Sequence, residues 1–244
     1  MLIMNAIGVI PARLGSTRLP QKVLREIAGR PMLSYVHAAA ISCKGLAKVI
    51  VATDSQEVME VCSRNGWESR MTSAAHASGT DRVWEIASQM PAEVYINIQG
   101  DEPLARTEHI ETLLALMRDP AVQVGTLKTQ CAPHDIQNPN AVKVVCDNSG
   151  RALYFSRATL PFDRDGGSQP RYFKHLGFYA YRRQALERFC SIRPGELERS
   201  ERLEQLRFLE HGIPIYVAET PFDTIGVDTE ADLHRVEQLI SHRS

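Results

Sequence analysis

Short apolar runs alternate with segments of helical spacing along the first half of the chain. The runs at 6–10, 48–52 and 94–98 are almost wholly apolar, which is typical of strands buried on both faces. Helical spacing is seen over residues 32–41, 54–64, 81–88 and 107–117, and a further apolar run at 122–127 predicts another strand. Strands that alternate with helices of about ten residues predict right-handed crossovers and a mostly parallel sheet with helices on both faces. Asp54 and Glu57 are expected to cap the second of these helices.

The second half has a different pattern. Residues 142–146 and 152–155 flank an Asp-Asn-Ser-Gly turn and predict a β-hairpin, and 176–181 predicts a further strand. A helix is expected over 201–209, a strand over 213–217 and a last helix over 229–240. No linker separates the halves. We therefore expect one α/β domain over residues 1–244, with an antiparallel insertion at roughly 140–182.

Composition limits the classes of function that the chain can have. With 244 residues and 43% hydrophobic residues, the chain can bury one substantial core. A net charge of −1 provides no basic field for nucleic acid, so no nucleic-acid partner is expected. The five cysteines form no CxxC pair, which favours a reducing cytoplasm. The sequence contains no run of about 18 apolar residues, so no membrane span is expected.

The strongest local signal lies directly after the first predicted strand. Arg13, Arg18 and Lys22 place three positive charges within ten residues, and Gly15 and Ser16 lie between them. Glycine allows backbone amides to approach an anion closely, and a serine hydroxyl can donate to a phosphate oxygen. The segment therefore predicts a phosphate-binding loop at the carboxyl edge of the sheet, where open α/β folds bind ligands. The alternative is a solvated basic turn.

Two aspartates could hold a metal ion at the same edge. Asp101 follows the strand at 94–98, and Asp228 precedes the last predicted helix. Two carboxylates, phosphate oxygens and water suit octahedral Mg²⁺. The alternatives are a turn residue at Asp101 and a helix cap at Asp228. Asp54 is expected to be a helix cap rather than a ligand.

Several motifs together resemble those of one enzyme family, the 3-deoxy-manno-octulosonate cytidylyltransferases. They are found in order along nearly the whole chain: PARLGSTRLPQK at 11–22, ATD at 52–54, SGTDR at 78–82, NIQGDEP at 97–103, NPN at 138–140, ALYFSR at 152–157, HLGFYAY at 175–181, LEQLR at 203–207 and GVDT at 226–229. The resemblance implies a Rossmann-like three-layer nucleotidyltransferase fold. Two residues depart from the family pattern, since Leu14 stands where tyrosine is usual and Gln21 where glycine is usual.

The resemblance also implies an activity and a set of site residues. The expected reaction transfers CMP from CTP to 3-deoxy-manno-octulosonate, with release of pyrophosphate and with Mg²⁺ as cofactor, for lipopolysaccharide biosynthesis. A homodimer with antiparallel contacts is expected by analogy. The expected catalytic residues are Arg13, Lys22, Asp101 and Asp228, of which Asp101 and Asp228 hold the metal. The nucleotide-binding residues are expected to be Arg13, Ser16, Lys22, Ser78, Arg82 and Gln99, and the sugar-binding residues Arg18, Arg157, His175, Glu204 and Gln205.

Other assignments stay open at this point. The acceptor could be 8-amino-3-deoxy-manno-octulosonate or sialic acid. Asp163 and Asp165 match the DxD pattern of metal-dependent glycosyltransferases, although their glycine-rich loop favours a surface position. A glycosyltransferase would release no pyrophosphate, and Asp101 and Asp228 would be dispensable. A third possibility is a nucleotide-binding protein without catalysis.

Overall fold

The architecture is seen in a computed structural model, which describes residues 4–15, 18–167 and 170–241. The strands are β1 (Ala6–Pro11), β2 (Glu26–Ile27), β3 (Arg30–Pro31), β4 (Lys48–Thr53), β5 (Ser69–Met71), β6 (Val94–Asn97), β7 (Val124–Gln130), β8 (Lys143–Cys146), β9 (Ala152–Ser156), β10 (Phe173–Arg182) and β11 (Ile215–Glu219). The helices are α1 (Met32–Ile41), α2 (Gln56–Arg64), α3 (Gly79–Gln89), α4 (Thr107–Leu116), α5 (Arg183–Ser191), α6 (Glu196–Glu201), α7 (Leu206–Glu210) and α8 (Glu230–Ser241).

The chain divides into two compact units. The first comprises Met1–Glu111 with Thr224–Ser244, and the second Thr112–Asp223. In the first unit, β6, β1, β4 and β5 lie side by side in that order, and every pairing is parallel. Val9, Ile50 and Ile96 of the inner strands are fully buried. Burial of each such side chain stabilises the fold by roughly 1.5–3 kcal/mol, which explains the apolar runs in the sequence.

The second unit carries the antiparallel strands. Strand β7 pairs antiparallel with β10 and parallel with β11, and β8 pairs antiparallel with β9 and β10. The β8–β9 hairpin confirms the turn predicted at residues 147–150. The predicted α/β class, with a parallel sheet and an antiparallel patch, is therefore confirmed, and strands β8 to β10 fall within the expected insertion at 140–182.

The start of α2 differs from the prediction. Ser55, and not Asp54, is the N-cap, since its hydroxyl oxygen accepts from the backbone N–H of Val58. The Asp54 carboxylate instead accepts from the guanidinium of Arg82. Because both residues are good caps by type, the local sequence could not distinguish them. The prediction that Asp54 and Glu57 cap this helix is wrong.

The helix predicted over 201–209 is also wrong. Two short helices, α6 and α7, occupy this region, and Arg202 between them has a left-handed backbone with φ of 53°. Arg157 donates from its guanidinium to the carbonyl oxygens of Glu201 and Arg202. In a continuous helix these carbonyls would accept hydrogen bonds from backbone N–H groups four residues later. Here they accept from Arg157, which lies 44 positions before Glu201, so the helix is interrupted.

Some elements carry weak sequence signals. The helix α5 was not predicted, although its buried residues Ala185, Leu186 and Phe189 have helical spacing. The three-residue strand β5 is too short for a periodic pattern to be recognised. Over the described ranges 4–15, 18–167 and 170–241, no helix combines the length and apolar character needed to cross a bilayer.

Candidate functional site

A cavity of about 390 Å³ lies in the first unit, beside the carboxyl ends of β1 and β6 and the first residues of α3. This is the edge of a parallel sheet where α/β folds bind ligands. Eight residues that were predicted from the sequence line it: Arg13, Arg18, Lys22, Ser78, Arg82, Gln99, Asp101 and Asp228. Ser16, which was also predicted to bind the nucleotide, lies outside the described residues.

Backbone geometry brings the distant parts of this cavity together. A Cβ atom at Gly100 would lie 2.6 Å from the carbonyl oxygen of Pro11, so a side chain cannot be accommodated where the two loops meet. The N–H of Val227 donates to the carbonyl of Asp101 at 2.9 Å. This bond fixes the residue before Asp228 beside Asp101, although the two aspartates are far apart in sequence.

One ammonium group lies between the two predicted metal ligands. The Nζ atom of Lys22 is 2.5 Å from Oδ2 of Asp101 and 2.9 Å from Oδ1 of Asp228. Arg18 donates to the other oxygen of Asp228 at 3.0 Å. Both carboxylates therefore face a single cation, and the lysine that supplies it is 13% exposed.

The protonation of this cluster follows from its charges. Burial alone would lower the pKa of Lys22, but the charges and hydrogen bonds of Asp101 and then Asp228 outweigh burial and raise it. Burial would raise the pKa of Asp228, but Lys22 and then Arg18 lower it overall. Lys22 and Asp228 are both charged at neutral pH.

The helix that follows Asp228 does not use its carboxylate as a cap. Thr229 accepts from the N–H of Asp232 at 3.2 Å, and the carboxylate of Asp232 accepts from the N–H of Thr229 at 2.9 Å. This reciprocal pair satisfies the first turn of α8. The Asp228 side chain is therefore directed to Lys22 and Arg18, and the cap interpretation of Asp228 is wrong.

Arg82 is held rigidly at the cavity wall. Its side chain is only 3% exposed and donates to the Oδ2 atom of Asp54 at 2.5 Å and to the hydroxyl of Thr72 at 2.7 Å. A further bond reaches the carbonyl of Ser73 at 3.2 Å. These partners follow β4 and β5, so the ends of two adjacent parallel strands fix one guanidinium.

Ser78 has a structural role in addition to its position at the cavity. Its hydroxyl oxygen accepts from the N–H of Asp81, and the carboxylate of Asp81 accepts from the N–H of Ser78. This is a complete capping box at the start of α3. Ser78 therefore fixes the helix N-terminus at the cavity, where the positive end of the helix dipole favours an anion.

The four remaining predicted sugar-binding residues lie in the second unit. Arg157 donates to the carbonyl oxygens of Glu201 at 2.8 Å and Pro139 at 3.0 Å, and also reaches that of Arg202. Its backbone N–H donates to the carboxylate of Glu201. Arg157 thus links the end of α6 and the residue that follows it to the segment around Pro139.

Buried polar atoms are found at Gln205 and at Tyr179, whose ring lies beside that of His175. The ring of His175 lies 5.4 Å from that of Tyr179, centroid to centroid. Burial raises the pKa of Tyr179 well above its usual value, and the nearby Tyr181 and Glu204 add to this effect. Within the part of the chain that the structure describes, the hydroxyl of Tyr179 and Nε2 of Gln205 are buried without a hydrogen-bond partner. Such atoms are costly unless a ligand or water satisfies them.

Two contributors were not predicted from the sequence. The first is Asp54, which holds Arg82 and does not cap α2. Its position at the end of a parallel strand was the signal that could have indicated a site residue. Tyr179 lies in the motif HLGFYAY, but neither its burial nor the missing partner of its hydroxyl can be read from sequence.

No group of three or more histidine, cysteine or acidic side chains is arranged to hold a metal ion within the described ranges.

Comparison with known proteins supports one family over nearly the whole chain. A sequence profile of the cytidylyltransferases matches residues 7–217. The 3-deoxy-manno-octulosonate cytidylyltransferase of Koribacter versatilis is 66% identical over 240 residues, which are 98% of this chain and 92% of that protein. The chain belongs to the 3-deoxy-manno-octulosonate cytidylyltransferase family. The protein of the same name from Acidobacterium capsulatum is 56% identical over 243 residues and covers 100% of this chain and 99% of its own.

Solved structures agree with this cytidylyltransferase assignment. A CMP:2-keto-3-deoxy-manno-octonic acid synthetase in complex with CTP is 42% identical, with a TM-score of 0.94 over 98% of this chain and 100% of that one. A 4-diphosphocytidyl-2C-methyl-D-erythritol synthase from Anaerococcus prevotii is 13% identical, with a TM-score of 0.67 over 98% of this chain and 99% of that one. The second match shows the fold alone. The nucleotidyltransferase fold expected from the sequence is confirmed.

In this cytidylyltransferase, Gln21 adopts the backbone that glycine would favour. Its φ and ψ are 55° and 29°, in the left-handed region that costs a non-glycine residue roughly 1–2 kcal/mol. The Gln21 side-chain amide donates to the carboxylate of Glu57 in α2 at 3.1 Å. The departure from the family residue thus keeps the left-handed backbone that glycine allows and adds a contact to α2.

Proposed function

We propose that this chain transfers CMP from CTP to 3-deoxy-manno-octulosonate and releases pyrophosphate, as its family membership indicates, in lipopolysaccharide biosynthesis. The observation that carries the proposal is the convergence of Asp101 and Asp228 on one cation, beside a loop that brings Arg13 and Arg18 to the same cavity. A triphosphate with a divalent cation needs this combination of positive loop and paired carboxylates.

The two aspartates fit a site for Mg²⁺. Their oxygens already approach one cation, the ammonium of Lys22, at 2.5 and 2.9 Å. In nucleotide-dependent enzymes Mg²⁺ is held by one or two carboxylates together with substrate phosphates, and not by a complete cage of protein ligands. When bound, Mg²⁺ would neutralise phosphate charge and make the α-phosphorus more electrophilic.

The protein groups of the loop would position the triphosphate and stabilise its leaving group. Arg13 and Lys22 would donate to phosphate oxygens, and Ser16 would add a hydroxyl donor. Lys22 donates two hydrogen bonds, to Asp101 and Asp228, in this structure, which leaves the third N–H of its ammonium for a phosphate oxygen. The anomeric hydroxyl of the sugar would then displace pyrophosphate in line at the α-phosphate. Most of the acceleration would come from orientation and from fixed positive charge.

Cytosine recognition would use Arg82, Gln99 and Ser78 of the cavity lining. Arg82 is buried and held by Asp54 and Thr72, so its position costs little to fix when a nucleotide binds. Gln99 follows β6 by two residues, lines the cavity and can present both an amide donor and an acceptor. Together with Ser78, these residues would contact the base or the ribose.

Within the second unit, the sugar would be held by Arg157, His175, Glu204 and Gln205. Two buried atoms without partners, the hydroxyl of Tyr179 and Nε2 of Gln205, support a polar ligand beside this group. A polyhydroxylated acid can satisfy such atoms, since each hydroxyl both donates and accepts. We add Tyr179 to the proposed sugar-binding residues. Arg157 uses three of its five N–H donors on backbone carbonyls, so the others are available to a sugar carboxylate.

The proposal also includes a homodimer and a cytoplasmic location. Leu153 and Phe162 of the antiparallel segment are 57% and 81% exposed, and large exposed apolar side chains favour an interface. The five cysteines are all free thiols, which suits a reducing compartment.

Pyrophosphate release tests this function directly. CTP or UTP is supplied with each of three acids: 3-deoxy-manno-octulosonate, its 8-amino analogue and N-acetylneuraminate. We expect release with CTP and 3-deoxy-manno-octulosonate, and a kcat/KM at least about 100-fold lower for UTP and for N-acetylneuraminate, because unmatched polar groups in a site discriminate strongly. Mass spectrometry checks that the product is a CMP-sugar.

The rates with 3-deoxy-manno-octulosonate and with its 8-amino analogue show which substituent at C8 the site prefers. Release only with UTP, or with none of the acids, would overturn the proposed reaction. The control is Asp228→Asn at saturating Mg²⁺, which should lose activity. A glycosyltransferase would release no pyrophosphate and would tolerate this substitution.

A further inference from the structure

The hydroxyl of Thr126 in β7 faces two carbonyl oxygens and one imidazole nitrogen of β10. Its Oγ1 atom lies 2.8 Å from the carbonyl oxygen of Phe178, 3.2 Å from that of Leu176 and 3.0 Å from Nε2 of His175. A hydroxyl carries one proton, and a carbonyl oxygen can only accept. The shortest of the three contacts, to the Phe178 carbonyl, takes the Thr126 proton, so Thr126 accepts a hydrogen bond from His175.

This proton count determines the tautomer of the imidazole. Nε2 of His175 carries the hydrogen and donates to Thr126, so in the neutral ring Nδ1 carries a lone pair and can only accept. No partner of Nδ1 is seen among residues 4–15, 18–167 and 170–241. The imidazole thus presents an acceptor that the described residues leave unused.

The surroundings keep the ring neutral. Phe155 contacts it edge-on at a centroid distance of 5.0 Å, and Tyr179 lies on another side. Burial lowers the pKa of His175 to about 3. The acceptor at Nδ1 is therefore preserved at neutral pH.

An irregularity in the sheet explains why a hydroxyl is needed at this position. The pairing of β10 with β7 shifts register between Leu176 and Tyr179. A bulge of this kind bends the strand and redirects nearby side chains. Thr126 donates to the Phe178 carbonyl in the bulge with the same oxygen that accepts from His175.

We propose that Thr126 is a positioning residue that holds His175 as the Nε2–H tautomer, so that Nδ1 accepts a hydrogen bond from a hydroxyl of the sugar acid. This role rests on the proposed function for the choice of ligand, but the tautomer follows from the hydrogen bonds alone. Valine at 126 would keep the shape of threonine and remove the acceptor.

The tautomer is measured by ¹⁵N NMR on the full-length protein labelled at histidine. We expect a pyrrole-type shift for Nε2 of His175 and a pyridine-type shift for Nδ1 in the wild type, with the resonance assigned by its loss in His175→Gln. Thr126→Val should lose the pure Nε2–H signature, and Thr126→Ser should restore it. The wild type showing the Nδ1–H form, or Thr126→Val retaining an unchanged spectrum, would overturn the proposal.

Steady-state kinetics separates positioning from general damage. In Thr126→Val the KM for 3-deoxy-manno-octulosonate should rise about tenfold, the effect of weakening one hydrogen bond to substrate, while the KM for CTP stays within about twofold. Thr126→Ser should recover most of the affinity. Equal loss for both substrates would contradict the positioning role. Because the NMR measurement needs no substrate, failure of the proposed reaction would leave the tautomer separately tested.

Discussion

Replacing Lys22 with methionine is expected to lower kcat for pyrophosphate release by roughly 10²–10³-fold, because the loss of one preorganised donor to developing oxyanion charge has about this effect. The same substitution should strengthen Mn²⁺ binding in the absence of nucleotide. Lys22 occupies the space between Asp101 and Asp228, and a metal ion must displace its ammonium before both carboxylates can coordinate. The two measurements should therefore change in opposite directions.

The increase in Mn²⁺ affinity should be at least about tenfold, since charge-assisted hydrogen bonds of roughly 1.5–3 kcal/mol no longer compete with the metal. Electron paramagnetic resonance of free Mn²⁺ during a titration measures it. The matched control is Lys48→Met, which removes an exposed lysine paired with Glu68 outside the cavity and should change neither quantity. Weaker or unchanged Mn²⁺ binding by Lys22→Met would show that the carboxylates beside Lys22 are not the metal ligands.

Replacing Arg82 with methionine should have the largest effect on stability. The guanidinium is almost fully buried, and its removal leaves the carboxylate of Asp54 and the hydroxyl of Thr72 without their partner. Breaking a buried pair on one side costs about 3 kcal/mol or more. For a chain of this length, that loss corresponds to a fall in Tm of roughly 6–12 °C, measured by calorimetry. The KM for CTP should rise in the same variant.

A second substitution distinguishes the ion pair from general packing. Adding Asp54→Asn to Arg82→Met removes the uncompensated charge and should recover part of the lost stability. Arg64→Met on the exposed end of α2 is the control and should change the free energy of unfolding by no more than about 0.5 kcal/mol. If Arg82→Met were as stable as this control, Arg82 would not be a fixed part of the cavity wall.

Much of the first unit could be predicted because its pattern is local. The apolar runs at 6–10, 48–52 and 94–98 mark buried parallel strands, and the helix after Pro31 has the predicted bounds. The rule that ligands bind at the carboxyl edge of a parallel sheet then indicated where the cavity would lie. The helix predicted over 201–209 failed because Arg157, distant in sequence, bonds to the carbonyls that a helix needs.

The sequence predicted which residues line the candidate site but not which of them contact each other. Sequence spacing placed Asp101 and Asp228 at the ends of different elements, yet it could not show that Lys22 lies between them. That arrangement depends on the backbone bond from Val227 to Asp101, which joins segments more than 100 residues apart. The pairing of Asp54 with Arg82 also joins residues distant in sequence, so the local pattern could not show it. Local sequence could not show either that Ser55, and not Asp54, is the cap of α2.

The proposed function requires Asp101 and Asp228 to share one metal ion with the phosphates of CTP. Anomalous diffraction from a crystal grown with Mn²⁺ and CTP measures this directly. We expect a manganese peak within coordination distance of both carboxylates, with the ammonium of Lys22 moved onto the phosphates. A peak held by only one of the two aspartates, or by Asp163 and Asp165, would contradict the account.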